Sequence, residues 1–168
     1  MGRPPSYDHT MLLREIIDCL WERGYAATPI SVIVQETGVN AASLYARFGS
    51  KKGIMLAALD LYAKETIDAL EALLAATQPG AGQVRAILEH AMGSFEDPRA
   101  RGCFLVNTVT NISTDTPDFA MAVADYMEQI RGRAQACAGL AARGDAGRCG
   151  TVRASAGLGP QSHGPDAP

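Results

Sequence analysis

The chain has 168 residues and a mass of 17.7 kDa, with 20% charged residues and a net charge of −3. That length suits one sizeable core, or a core with a small head. Residues 1–52 carry six Lys/Arg against five Asp/Glu and the rest nine against thirteen, which excludes a protein that coats nucleic acid non-specifically but leaves room for a few placed phosphate contacts.

Residues 1–7 read as a flexible basic arm. Gly2-Arg3-Pro4 offers Arg3 to a narrow minor groove, or serves simply as an unstructured terminus. A first helix is expected from about Asp8 to Arg23, where Leu13, Ile16, Ile17 and Leu20 recur with a period of 3.6, Trp21 extends the stripe and Gly24 ends it. Thr28 then caps a short helix, with Pro29 at its first position and Val32, Ile33 and Val34 on its buried side. Gly38 supplies the positive φ of a tight turn, and Val39 pins that turn into the core. Asn40 caps a second short helix. Its Leu44 and Phe48 point inward, while Ala41, Ala42, Ser43, Tyr45 and Ala46 lie on or near the outer side.

A long helix should begin near Lys51 and run toward Ala76, with Leu56, Leu59, Ala63, Ile67, Leu70 and Leu74 on one face. At 1.5 Å per residue it would be about 35–40 Å long, enough to link a head mechanically to a body. Pro79-Gly80-Ala81-Gly82 breaks the chain; it is not a dinucleotide loop, because it follows a helix and Arg85 stands where a third Gly would fall. The next helix carries Val84, Ile87, Leu88, Ala91, Met92 and Phe95 as its stripe. A loop over 96–102 leads to a helix over about 103–113, in which Leu105, Val109 and Ile112 read as core and Asn107, Thr108 and Asn111 bring polar groups together. Thr116 caps a seventh helix with Pro117 first and Phe119, Val123, Tyr126 and Ile130 as its stripe. Beyond about Arg131 the helical signal decays, Gly132 and Gly139 interrupt it, and residues 143–168 read as a disordered tail with only Val152 and Leu158 as large aliphatics.

The pattern is all-α: a helix-turn-helix head over 8–50, a helical regulatory domain over 51–142 that starts with the long connecting helix, and the tail. Two short helices around a Gly turn suit the second helix to a DNA major groove, though an ordinary helical hairpin has the same outline. Small residues on the outer face let a helix sit deep in the groove, where Ser43 and Tyr45 can reach bases or phosphates.

Gly24-Tyr25-x-x-Thr28, Gly38-Val39-Asn40, Leu44-Tyr45-x-x-Phe48 and Ser50-Lys51 follow one another over about residues 6 to 62. Their order and spacing resemble the DNA-binding domain of tetracycline-repressor (TetR) family regulators. Val34 departs from the small residue usual in such units, and Arg47 from the usual aromatic or His. The resemblance implies a cytoplasmic homodimer on a palindromic double-stranded DNA operator, most commonly a repressor released by a small-molecule effector. It makes Thr28, Ser43, Tyr45 and Lys51 the foremost DNA contacts, with Ala41, Ala42 and Ser43 at base edges, Tyr45 and Lys51 on flanking phosphates, and Asn40, Arg47, Lys52 and Arg3 as further contacts. It also implies an effector pocket in the body, for which Met92, Phe95, Cys103, Phe104, Asn107, Thr108, Asn111 and Tyr126 are candidates.

Two alternatives stay open. Cys103, at an expected helix start, offers a thiol that senses electrophiles or oxidants. The family's two further amphipathic helices, which form its dimer interface, have no counterpart in the last residues, so the tail could be truncated or out of frame and the chain a regulator fragment defective in dimerisation. Other classes find little footing. His9, His90 and His163 are far apart, no phosphate loop is present, and no catalytic residue, metal or cofactor is expected. Cys19, Cys103, Cys137 and Cys149 have neither CxxC spacing nor a nearby His, which argues against a zinc site or disulfide framework. No apolar leader is present, and the uncharged run 102–114 is too short to span a membrane, so the cytoplasm is the expected location.

Overall fold

The computed structural model describes residues 8–93, 99, 101–111 and 117–143, and every regular element among them is an α-helix. In chain order these are α1 (His9–Arg23), α2 (Ile30–Thr37), α3 (Ala41–Phe48), α4 (Lys51–Ala76), α5 (Ala81–Gly93), α6 (Phe104–Asn111) and α7 (Pro117–Arg143). Arg3, Phe95, Ile112, Thr116, Cys149 and the tail from residue 144 lie outside the described residues.

The head is set by local chemistry. The Asp8 carboxylate accepts from the Thr10 backbone N–H at 2.9 Å and opens α1. Asn40 Oδ1 accepts from Ser43 N at 2.8 Å to open α3, and Ser50 Oγ accepts from Gly53 N at 3.0 Å to open α4. The start of α2 differs from expectation: Pro29 is the capping residue, and Thr28 does not cap. Its hydroxyl instead donates back to the Gly24 carbonyl at 2.7 Å, the competition with the backbone ahead that short hydroxyl side chains offer. The turn between α2 and α3 rests on Gly38 at φ 67°, a left-handed value, whose N–H donates to Val34 O. Thr37 reinforces it, donating to Ile33 O at 2.7 Å and accepting from Val39 N at 3.2 Å. The junction of α3 and α4 depends on Gly53, because a Cβ there would stand 1.9 Å from the Phe48 carbonyl oxygen.

Helix α4 is the axis of the molecule and packs against α1, α3, α5, α6 and α7. One continuous buried cluster joins Ile16 and Leu20 of α1, Ile33 and Leu44 of the short helices, Ile54 and Leu59 of α4, and Phe104 and Phe119 of the body. Head and body therefore share a core.

Three expectations for the body change. The expected stripe of α5 is only partly covered: Val84 and Ile87 are half-buried, Leu88 and Met92 are 59% and 66% exposed, and the buried residue is Gln83. The Gln83 amide donates from Nε2 to Leu74 O at 2.9 Å, which holds this polar residue against α4. On α6, Val109 is 46% exposed where a core residue was expected. Finally, α7 does not decay near Arg131 but continues through Gly132 and Gly139 to Arg143. Each Gly costs only about 1 kcal/mol in a helix interior, and the Ala-rich run is secured by Arg133 paired with Glu71 at 2.6 Å and by buried Cys137. Among the described residues no helix is long and apolar enough to cross a membrane.

Candidate nucleic-acid interface

The outer side of α3 is the most distinctive surface of the head. Leu44 is fully buried and fixes the helix by its inner side, while Phe48 is half-buried and stacks on His9 with ring centroids 5.8 Å apart. On the other side Ala42, Ser43, Tyr45, Ala46 and Arg47 are exposed, Tyr45 at 41%, and Ala41 is half-buried. The face is thus small at its start and carries one phenol and one guanidinium further on, a shape that allows close approach to a groove. Asn40 is exposed; its side-chain oxygen accepts from the Ser43 N–H, and its amide nitrogen keeps two donors for an outside partner.

Two expected contacts are placed differently. Thr28 is fully buried with its hydroxyl committed to Gly24, so its side chain is withdrawn from any partner outside the fold. Lys51 is half-buried, donates to the Tyr25 carbonyl at 2.7 Å and lies 4.3 Å above the Tyr25 ring. Burial holds its ammonium below the ordinary lysine range. In this structure Lys51 ties the start of α4 to the loop after α1, with two of its three donors left over. Lys52, next along, is exposed and forms an ion pair with Asp118. Sequence reasoning assigned nothing to Tyr25 beyond a place in the motif or to Asp118, because both act through contacts far apart in sequence.

A groove of about 480 Å³ lies where the end of α1 and the loop after it meet α4 and α6. Its apolar part is formed by Leu20, Trp21, Met55 and Phe104, and its polar part includes Asn107, Thr108 and Asn111. Four of the expected pocket residues are therefore brought together. The other described candidates are elsewhere: Met92 is exposed on α5, Cys103 is half-buried beside the Tyr62 hydroxyl, and Tyr126 donates to Asp60 at 2.9 Å. The groove wall is braced by Arg101, whose carbonyl accepts from Trp21 Nε1 at 3.2 Å and from the Asn107 amide, and whose guanidinium pairs with Asp18 at 2.6 Å. Among the described residues no group of His, Cys, Asp or Glu could hold a metal ion.

A helix-turn-helix head continuous with a helical body through one long helix defines the class of protein. Residues 12–58 match the family described as bacterial regulatory proteins, tetR family. The chain is 32% identical over 123 residues to the HTH-type transcriptional repressor ComR of Escherichia coli (strain K12), a match covering 71% of this chain and 58% of that protein. It is 26% identical over 121 residues to the HTH-type transcriptional regulator YezE of Bacillus subtilis (strain 168), covering 71% and 62%. The chain thus spans about three fifths of these relatives' length. Among solved structures it resembles the TetR family transcriptional regulator CifR, in a cysteine-substituted form complexed with 26-bp double-strand operator DNA. That likeness has a TM-score of 0.65 at 25% identity and covers 85% of this chain and 79% of that one. A TetR family regulator from Agrobacterium tumefaciens shares the fold, with a TM-score of 0.67 at 18% identity over 79% and 70%. Residues 12–58 thus form a TetR-type DNA-binding head, and the chain as a whole has the TetR-like fold.

Proposed function

We propose that this chain is a sequence-specific DNA-binding transcriptional regulator, acting as a repressor that pairs on a palindromic operator and is released by a small molecule. The observation that carries the reading is the outer face of α3, held in place by the Gly38 turn and the Asn40 cap, with Ser43, Tyr45 and Arg47 exposed on it. In support, CifR bears the same fold on operator DNA and ComR is a transcriptional repressor. Ala41, Ala42 and Ser43 would read base edges, while Tyr45, Arg47 and Lys52 would grip phosphates.

The groove between α1 and α6 is the proposed effector site. A ligand there touches the loop that Lys51 ties to α4, so it bears directly on the spacing of the head. It shifts the protein only if it binds one spacing better than the other.

The test is selection from randomised duplexes with the full chain. Enrichment of a palindrome with half-sites one helical turn apart, about 34–36 Å, or a multiple of it, is expected for paired heads. Failure to enrich any sequence would sink sequence-specific binding. Sedimentation distinguishes the paired regulator from the dimerisation-defective alternative: a mass near twice 17.7 kDa supports pairing, and a monomer supports the fragment reading.

A further inference from the structure

The first turns of α4 and α7 meet, although more than sixty residues separate them in sequence. Lys52 of α4 pairs with Asp118 of α7, and each side chain is 46% exposed. One position along α7, Phe119 is fully buried and packs edge-on against Tyr25, with ring centroids 4.8 Å apart. Tyr25 in turn carries Lys51 over its ring and on its carbonyl. The first turn of α7 therefore holds both lysines of α4, one directly and one through Tyr25.

The charges explain why such a contact is useful. Helix α4 begins with two lysines and has no acidic residue in its first turn, which is the positive end of its dipole. That end lacks an anion of its own, and Asp118 supplies one from another element. Asp118 also lies in the first turn of α7, where the dipole of its own helix favours a carboxylate. When Lys52 leaves, Asp118 keeps a favourable environment and enough exposure to be hydrated. Exchange of the Lys52 partner thus costs little in the protein.

We propose that Asp118 is an internal stand-in for a DNA phosphate. It occupies Lys52 in the free protein, and Lys52 passes from the carboxylate to a backbone phosphate when the head docks. The occupancy of DNA is thereby coupled to the position of α7, and a shift in the first turn of α7 alters the charge that α4 presents. The inference rests on the DNA-binding reading above and adds to it a residue that restrains binding.

The test uses the full chain and a fluorescein-labelled mixed-sequence duplex at low salt, because phosphate contacts do not depend on sequence. Exposed ion pairs are weak, so Asp118→Asn should raise affinity only roughly two- to five-fold. Lys52→Ala should lower affinity and reduce the salt slope by about one phosphate contact. In the Lys52→Ala background, Asp118→Asn should change affinity by less than roughly 1.5-fold, since no lysine remains to be withheld. An equal gain in both backgrounds would overturn the proposal, because Asp118 would then be repelling DNA in general. A second measurement follows acetylation of Lys52 by mass spectrometry, and DNA should slow it. If the wild-type chain binds DNA without protecting Lys52, the exchange is overturned and DNA binding stands. If the wild-type chain binds neither this duplex nor any sequence in the selection above, both fall.

Discussion

The head and the body are held in place by different kinds of contact. Around α1, α2 and α3 the boundaries are closed by contacts two to four residues away, from the side chains of Asp8, Thr28, Thr37, Asn40 and Ser50 and from the backbone N–H groups of Gly24, Gly38 and Gly49. In the body the fixing contacts join separate elements: Tyr126 to Asp60, Arg133 to Glu71 and, within one helical hairpin, Gln83 to Leu74. A surface positioned by its own caps keeps its shape when its neighbours move. A body held by contacts between helices can be rearranged by whatever competes for those contacts. For a proposed regulator this division is functional, since the reading surface must stay constant while its distance from a second copy changes.

Phe119 tests the comparison most severely because it belongs to both regions, lying on α7 and packing on Tyr25 of the head. Phe119→Ala should cost about 3–5 kcal/mol, the range for a fully buried aromatic, measured by denaturant unfolding. Unfolding should remain a single transition, because one cluster joins head and body. Two transitions would mean that the regions are separate units and that the shared core contributes little. Gly53→Ala comes next and breaks the head alone. Its new Cβ would meet a backbone oxygen, which cannot rotate away, so about 3 kcal/mol of destabilisation is expected from overpacking. A loss below about 1 kcal/mol would show that the α3–α4 junction gives way easily.

These two residues also mark how far the sequence could be read. The helix-turn-helix was legible because its signals are local: Gly38 for the turn, Asn40 for the cap, and Leu44 with Phe48 as an inward pair. The start of α4 at Lys51 and the exposure of Ser43, Tyr45 and Arg47 follow from the same short-range rules. Gly53 was not legible, since its need for a missing Cβ arises from the carbonyl of Phe48 in the preceding helix. Nor was the partner of Lys52, because Asp118 reaches it only through tertiary structure. The stripe on α5 misled for a related reason. Periodicity shows that a helix has an apolar face but not how much of it a neighbour covers, and here Gln83, bonded to Leu74, is buried while Val84 and Ile87 are only half-buried. The extension of α7 was missed because two glycines weigh heavily in a local reading and little in a helix braced by Arg133 and Cys137.

The effect of alkaline pH sharpens the comparison at the seam. Tyr62 is enclosed by Trp21 and Phe104, with centroids 5.1 and 5.5 Å away, and burial, then the neighbouring Cys103, pushes its phenol up to about 12. Burial and then Asp60 push Tyr126 up to about 12 as well. In the unfolded chain a tyrosine releases its proton near pH 10. The folded state therefore holds these protons longer, so their contribution is fully present below about pH 10 and is lost as pH rises toward 12. Tyr62→Phe should flatten the fall in stability between pH 10 and 12, followed by thermal denaturation in that window. An unchanged slope would mean that the Tyr62 hydroxyl is freely hydrated and that the seam is looser than its ring contacts indicate.

The smallest effect is expected at Leu88, and it bears on the body alone. Its side chain is 59% exposed on α5, beside Met92 at 66% on the same helix. Truncation there removes little buried area, so Leu88→Ala in dilute solution should change stability by no more than about 0.5 kcal/mol. The expectation is conditional on protein concentration, because a second chain covering this face would make the loss grow with association. Unfolding at low and high micromolar concentration separates the cases: a constant small loss leaves the face open to solvent, whereas a loss that grows with concentration makes α5 part of an interface. The same substitution in α3 would carry no such dependence, since the inner side of that helix is already filled by Leu44 from within its own chain.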